Sequence, residues 1–447
     1  MFSRDIITEF KKWAVKPNRK PLVLRGARQV GKTTAVDLFA NEFDQYISLN
    51  LERTEERIIF ENNYPFSDLV TTLFLYAHKQ RNGGKTLIFI DEIQNSPKAV
   101  ALLRYFYEDT PDLFVIAAGS LLESIMDKGI SFPVGRVEYM VMRPCSFREF
   151  LTATGNGQLK EMLDKPEVPG FLHDQFTMWF KKYATTGGMP EVVATYADNA
   201  DLTALQPIYD SLIQSYSDDV EKYASSSAQV QYIRHIIRHA FSEACTKVTF
   251  EKFADSAYRS REMKEAFYAL QKTMLLDLVY PCTSVDFPVK PNLVKKPRLH
   301  VVDTGLINHA RGLLGEMVFN ENISDVYRGI IAEHIVGQEL LSSSYSVLYK
   351  INFWTREKKE SSAEVDYVFP WQGKLIPVEV KSGSTGKLRS LHQFMDQAQH
   401  AVAVRVWQGP YSVEKAVTTK GSEFTLLNLP FYLVHRIERE LDKLISV

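Results

Sequence analysis

At 447 residues, with 45% apolar content and a formal net charge of −1, the chain is long enough for about three domains with ample cores. That balance excludes a uniformly basic nucleic-acid coat but leaves room for local basic faces. The three cysteines, Cys145, Cys245 and Cys282, are far apart without a CxxC partner, so neither a zinc cluster nor a disulfide framework is indicated. No run of roughly 18 apolar residues occurs, and Met1 to Lys12 reads as an amphipathic charged helix rather than a signal segment, so a cytoplasmic protein without a membrane partner is expected.

The first chemical signal is Gly26, Ala27, Arg28, Gln29, Val30, Gly31, Lys32, Thr33, a complete GxxxxGK[ST] phosphate loop. It follows the apolar run Pro21 to Leu24, which reads as a buried strand, and leads through Thr34 into a helix ending at Phe39. The glycines let the backbone curl so that successive N–H groups face phosphate, and the helix adds its positive end. The spacing therefore predicts ATP held by residues 26 to 34, with Lys32 on the β and γ phosphates and the Thr33 hydroxyl on magnesium. Lys85 to Gln94 then runs four apolar residues into Asp91 and Glu92, as a central parallel strand does at its ligand-facing tip. Asp91 is expected to take a magnesium-bound water, and Glu92 to polarise the water that attacks the γ-phosphate. Asp44 to Leu51 and Asp112 to Ala118 read as further strands of a doubly wound α/β sheet.

With these motifs the N-terminal third resembles the AAA+ superfamily of P-loop ATPases, in which a polar residue tips the strand after the acidic one. Ser120 matches that sensor position, and a helix N-cap for Leu121 to Met126 is its other reading. Arg28 and Gln29, then Gly135 and Arg136, Arg143 to Leu151, and Gly187 to Glu191, are similar to a prokaryotic family that joins this ATPase to a C-terminal domain of unknown function. The resemblance implies a homo-oligomer in which Arg136 completes a neighbour's site, the alternative being a solvated loop arginine.

The chain divides in this reading into an ATPase core (1–142), a helical lid (143–210), a winged-helix region (211–285) and a C-terminal domain (286–447). Phe147 to Leu163 and Gln175 to Tyr183 read as lid helices, with Gly187, Gly188 and Pro190 as a turn. Val230, Ile233, Ile236, Ile237, Ala240 and Phe241 form one apolar stripe. A short helix over 248–257, another over 260–274 and the strand-like 275–280 complete a winged-helix pattern. Arg234, Arg238, Arg259, Arg261 and Lys264 are placed to touch DNA phosphate or to form an ordinary charged face.

Near the C-terminus, a segment from Trp354 to Phe369, a turn at Gln372 and Gly373, and Lys374 to Ser382 read as a hairpin. Alternation puts Glu379 and Lys381 on one face, where Asp366 can join them, and Glu333 lies on a helix over 329–341. This set resembles the PD-(D/E)XK nuclease fold, which implies that Glu333, Asp366 and Glu379 hold magnesium and that Lys381 serves the attacking water. Salt bridges across a hairpin are the other reading, and Gln393 is either a further member or a solvated position. The segment Asp303, Thr304, Gly305, Leu306 suggests a structural corner or a phosphate contact, the corner being favoured. Two functions of different class remain open: an ATPase acting on DNA, and a nucleotide-dependent switch that binds an unidentified protein partner.

Overall fold

The computed structural model describes residues 2–120, 133–222, 224–314, 329–357, 363–383 and 388–444. The expected helix after Ser120 lies outside them. The N-terminal sheet contains β1 (Leu22–Arg25), β2 (Gln45–Asn50), β3 (Thr86–Asp91), β4 (Phe114–Ala118) and β5 (Glu138–Val141), all parallel in the order β2-β3-β4-β1-β5. In β3 every residue is buried, and alternation sends Leu87 and Phe89 to one face and Ile88 and Ile90 to the other. Helices α1 (Ile6–Ala14) and α2 (Lys32–Phe39) cover the first face through Phe10, Trp13, Val36 and Phe39. Helices α3 (Thr54–Glu61), α4 (Phe66–Tyr76) and α5 (Pro97–Glu108) cover the second. The sequence pattern did not mark β5, a four-residue edge strand in which only Val141 is buried.

The middle of the chain is helical: α6 (Phe147–Ala153), α7 (Gly157–Asp164), α8 (His173–Thr186), α9 (Pro190–Asn199), α10 (Gln206–Asp218), α11 (Ser227–Ala240) and α12 (Ser260–Lys272). The single helix expected over 147–163 is broken at Gly155, whose φ of 75° ends the first segment. The helix expected over 248–257 is replaced by one short turn, Phe253–Asp255. Lys252, Ala254 and Asp255 take positive φ, and Val248 N–H donates to Pro297 O at 2.9 Å, so long-range pairing overrides local propensity.

The expected division at 285/286 is crossed twice. Strand β6 (Leu276–Val279) pairs antiparallel with β8 (Arg298–Val301), while β7 (Pro281–Cys282) joins the C-terminal sheet. That sheet adds β9 (Asn352–Thr355), β10 (Glu364–Trp371), β11 (Lys374–Lys381), β12 (Val402–Trp407), β13 (Ser412–Val417) and β14 (Glu423–Pro430), in the order β13-β14-β12-β11-β10-β9-β7. Strands β9, β10 and β11 are antiparallel neighbours, and β11, β12 and β14 run parallel. Two helices, α13 (Thr304–Ala310) and α14 (Ile330–Ser342), precede these strands. Helix α14 packs on one face of the sheet and α15 (Arg389–Met395) on the other, with α16 (Ile437–Lys443) closing the chain.

One continuous core extends from Cys145 to Leu441, so the helical middle and the C-terminal sheet are packed as neighbours. Its polar centre gathers three of the sequence motifs. Asp303 accepts from Gly188 N–H at 2.5 Å and Gly305 N–H at 2.9 Å, which makes Asp303 to Leu306 a structural corner. Glu339 accepts from Phe147 N–H at 2.9 Å and from the Tyr183 hydroxyl at 2.8 Å, and Gln338 links Tyr183 to Asp303. Burial raises the carboxyls of Asp303 and Glu339 to about 6 and about 7, despite these donors.

Candidate functional site

The phosphate loop sits between β1 and α2, at the C-terminal edge of the parallel sheet. Gly31 caps α2 with φ 89°, and a Cβ at Gly26 would overlap the carbonyl of Met142, so both glycines are required by geometry. Lys32 is buried, and its ammonium donates to the loop carbonyls of Gly26 at 3.0 Å and Ala27 at 2.9 Å. Burial pulls its pKa down, while Glu92 and Asp91 oppose that shift. Thr33 Oγ1 donates to Asp91 Oδ2 at 2.6 Å, which brings together the two groups expected around magnesium. Glu92 follows with φ 51°, a left-handed conformation uncommon for a non-glycine residue, and accepts from Gln94 Nε2. Lys32, Thr33, Asp91 and the N-terminus of α2 fit a magnesium-bound triphosphate: Thr33 and Asp91 would hold the metal, which would supply charge neutralisation at the phosphates.

Ser120 follows β4 and lines a small cleft with Ala27, Arg28, Tyr216 and Asp219. Arg136 lies at the opposite edge of the sheet, because β5 begins beside Leu22, the first residue of β1, and it pairs with Glu108 of its own chain.

The sequence did not foresee how the loop is gripped from outside. Arg28 pairs with Asp219, Gln29 Nε2 donates to Ser215 Oγ at 3.2 Å, and the Tyr216 hydroxyl donates to Arg28 O at 3.4 Å. Lys222 adds ion pairs to Glu52 at 2.9 Å and Asp219 at 3.2 Å. From the other side, Arg4 donates to Val30 O at 2.8 Å and pairs with Glu149 at 2.9 Å. Glu149, the third residue of α6, completes the capping box with Ser146. The middle of the loop, Arg28 to Val30, is thus fastened to the helical region from two sides.

The second cluster lies on the C-terminal sheet. Glu379 and Lys381 share a face of β11 and pair at 2.7 Å. Asp366 on β10 accepts from Val380 N–H at 2.8 Å, and Glu333 projects from the first turn of α14. Their centre is taken by a residue the sequence left out of the set: Arg298 on β8 pairs with Glu333 and Glu364 and stands 4.0 Å from Asp366. Burial pulls the guanidinium's pKa down, but Glu333, Glu364 and Asp366 outweigh it and raise it overall. Burial also pushes the carboxyls of Glu333 and Glu379 upward. Among the described residues no group of three His, Cys, Asp or Glu is arranged to hold a metal ion. The magnesium expected on Glu333, Asp366 and Glu379 therefore does not fit this arrangement, since the guanidinium already supplies the neutralising charge. Gln393 is elsewhere, accepting from Arg356 at 3.2 Å. The signal for Arg298 was its place in the basic run Lys295 to Arg298 entering a strand, but only the β6–β8 pairing reveals its target.

Comparison with known proteins agrees with an N-terminal ATPase domain. Residues 18–151 match the family model described as AAA domain, 177–316 match a domain of unknown function (DUF8612), and 328–431 match a second one (DUF4143). No curated protein matches. Among solved structures, the Walker-type ATPase PABY2304 of Pyrococcus abyssi is 16% identical, with 70% of this chain and 96% of that chain covered and a TM-score of 0.45. The RuvB Holliday junction branch migration motor of Thermotoga maritima is 13% identical, with 62% and 90% covered and a TM-score of 0.29. The ORC1 protein of Aeropyrum pernix in complex with DNA is 11% identical, with 70% and 91% covered and a TM-score of 0.24. No helix among the described residues is long and apolar enough to cross a membrane. The chain carries an N-terminal P-loop ATPase domain of the AAA type, followed by two domains of unknown function.

Proposed function

We propose that the protein is a magnesium-dependent ATPase that works as a nucleotide-driven switch, with the phosphate loop setting the position of the helical and C-terminal regions. The observation that carries this reading is the direct attachment of Arg28 and Gln29, two residues of the loop itself, to Asp219 and Ser215. Lys32 is the group for the β and γ phosphates, Thr33 and Asp91 for magnesium and its water, and Glu92 for the attacking water. When phosphate draws on the loop, Arg28 is drawn from Asp219, and the turn Asp219–Lys222 is freed with it. Residues 143–210 act as the lid, and Ser120 senses the γ-phosphate from the next strand tip. Arg136 serves a neighbouring subunit in a homo-oligomer.

A second feature supports DNA as the cargo of this switch. Helices α11 and α12 followed by the β6–β8 pair have the order of a winged helix, and Arg238, Arg259 and Lys264 are exposed on it. Arg234 and Arg261 are paired with Glu221 and Glu265 and contribute less. We read the helix α14 with the strands β9 to β12 as a PD-(D/E)XK-like domain that serves as a binding module held together by Arg298 rather than as a nuclease.

ATP hydrolysis with and without double-stranded DNA is the test. Lys32→Ala should lose nucleotide binding, and Glu92→Gln should bind ATP but turn it over at least 10-fold more slowly. Wild-type rates in both variants would overturn the site. Stimulation by DNA that is lost in Arg238→Ala/Lys264→Ala would support DNA as cargo, and no response to DNA would leave a protein-binding switch.

A further inference from the structure

A second charged cavity lies where the ATPase sheet meets the middle region. It is about 450 Å³ in volume and opens beside the C-terminal ends of β1 and β5. Four cations line it: Arg25 at the end of β1, Arg143 two residues past β5, Lys272 from the last turn of α12, and Lys350 from the segment before β9. A single carboxylate, Asp277 on β6, stands among them, 3.4 Å from Lys350 and 4.0 Å from Arg143. Arg143 is mostly enclosed, and its Nε is buried without a hydrogen-bond partner. A buried guanidinium nitrogen without an acceptor is costly, and one carboxylate shared between two cations does not offset the excess positive charge. Arg25 and Lys272 have partners of their own, so the charge left over in the cavity is that of Arg143 and Lys350 sharing the one carboxylate of Asp277. Tyr268 adds a flat, partly exposed wall.

We propose that this cavity is a second anion site, built for a pyrophosphate-bearing ligand of nucleotide size. Its volume falls within the range of small-molecule sites, roughly 300–1,000 Å³. Arginine and lysine together favour phosphoryl oxygens, the guanidinium as a planar fork and the ammonium as a point charge. The ligand joins the end of the ATPase sheet to α12, β6 and the segment before β9, and Arg25 is the residue directly before Gly26 of the phosphate loop. Occupancy is therefore felt both at the loop and at the β6–β8 pair. The site stands apart from the ATP reading, because its lining residues include none of the loop's phosphate-binding groups.

Titration calorimetry of full-length Lys32→Ala protein with inorganic pyrophosphate at 150 mM salt tests the proposal (roughly physiological screening). Saturable binding is expected although the phosphate loop is disabled. Adding Lys350→Ala should weaken it several-fold, and Lys272→Ala with Lys350→Ala at least 10-fold, while Lys415→Ala on the exposed strand β13 should change nothing. Both lysines lie near the surface, so these variants should fold. Absence of saturable binding to the Lys32→Ala protein would overturn the second site without touching the ATPase reading. So would equal weakening by Lys415→Ala, or binding indifferent to Lys272 and Lys350.

Discussion

Arg28, the third residue of the phosphate loop, is ion-paired with Asp219, the first residue of the turn that follows α10. The two are 191 positions apart, and the pair ties the one loop that wraps phosphate to the region that packs against the C-terminal sheet. Both side chains are partly enclosed, so the attraction is screened less than that of a surface pair.

Assembly is testable through Arg136. Its partner Glu108 belongs to its own chain and the pair is substantially exposed and screened by solvent, so the arginine is released at little cost. Arg136→Ala mixed with Glu92→Gln should regain hydrolysis above the sum of the separate proteins, because mixed interfaces pair an intact site with an intact arginine. A monomer with full turnover in sedimentation and rate measurements would remove the role.

The corner at Asp303 makes a sharper structural prediction. Gly187 has φ 70°, and a Cβ there would overlap the Asp303 carboxylate and the Gly305 nitrogen, whereas Gly135 has φ 76° and open space around it. Gly135→Ala should therefore cost only backbone strain, about 1 kcal/mol, and Gly187→Ala roughly 2–4 kcal/mol in urea melts. Equal losses would mean that the corner tolerates displacement.

Much of this was legible beforehand. The phosphate loop, the acidic strand tip and the hairpin at Gln372 and Gly373 each rest on short-range patterns: a fixed spacing, an apolar run, a turn with positive φ. What the chain did not reveal is what depends on distant partners. Arg298 reads as one of several basic residues until β8 pairs with β6 and aims it at Glu333 and Glu364. Asp219 reads as one acidic residue among others until α10 brings it to Arg28. The break at Gly155 was available in the sequence, where Gly155, Asn156 and Gly157 interrupt the apolar spacing between Leu151 and Leu159.

Acid sensitivity should follow from a buried histidine pair. The rings of His300 and His334 stack at 4.1 Å, and burial, aided by Arg143, lowers His300 to about 3; burial and His300 push His334 well below its usual value. In the unfolded chain each takes a proton near pH 6.5, so the stability they supply is complete above that value and is lost as pH falls toward 3. Asp303, raised to about 6, acts in the opposite sense, contributing more as pH falls through 6. It is present in wild type and variant alike and cancels in their comparison. Between pH 7.5 and 5.5, wild type should lose about 1 kcal/mol more unfolding free energy than His334→Gln. Parallel curves would place the acid response elsewhere.

The most direct test of the switch is hydrogen exchange of the Glu92→Gln protein with and without ATP, followed over α10 and the turn Asp219–Lys222. Nucleotide should raise exchange in 206–222 by severalfold, and Asp219→Asn should show raised exchange there before ATP is added. If the protein binds ATP while exchange over 206–222 stays unchanged, the phosphate loop does not drive this region, and the proposed coupling is contradicted.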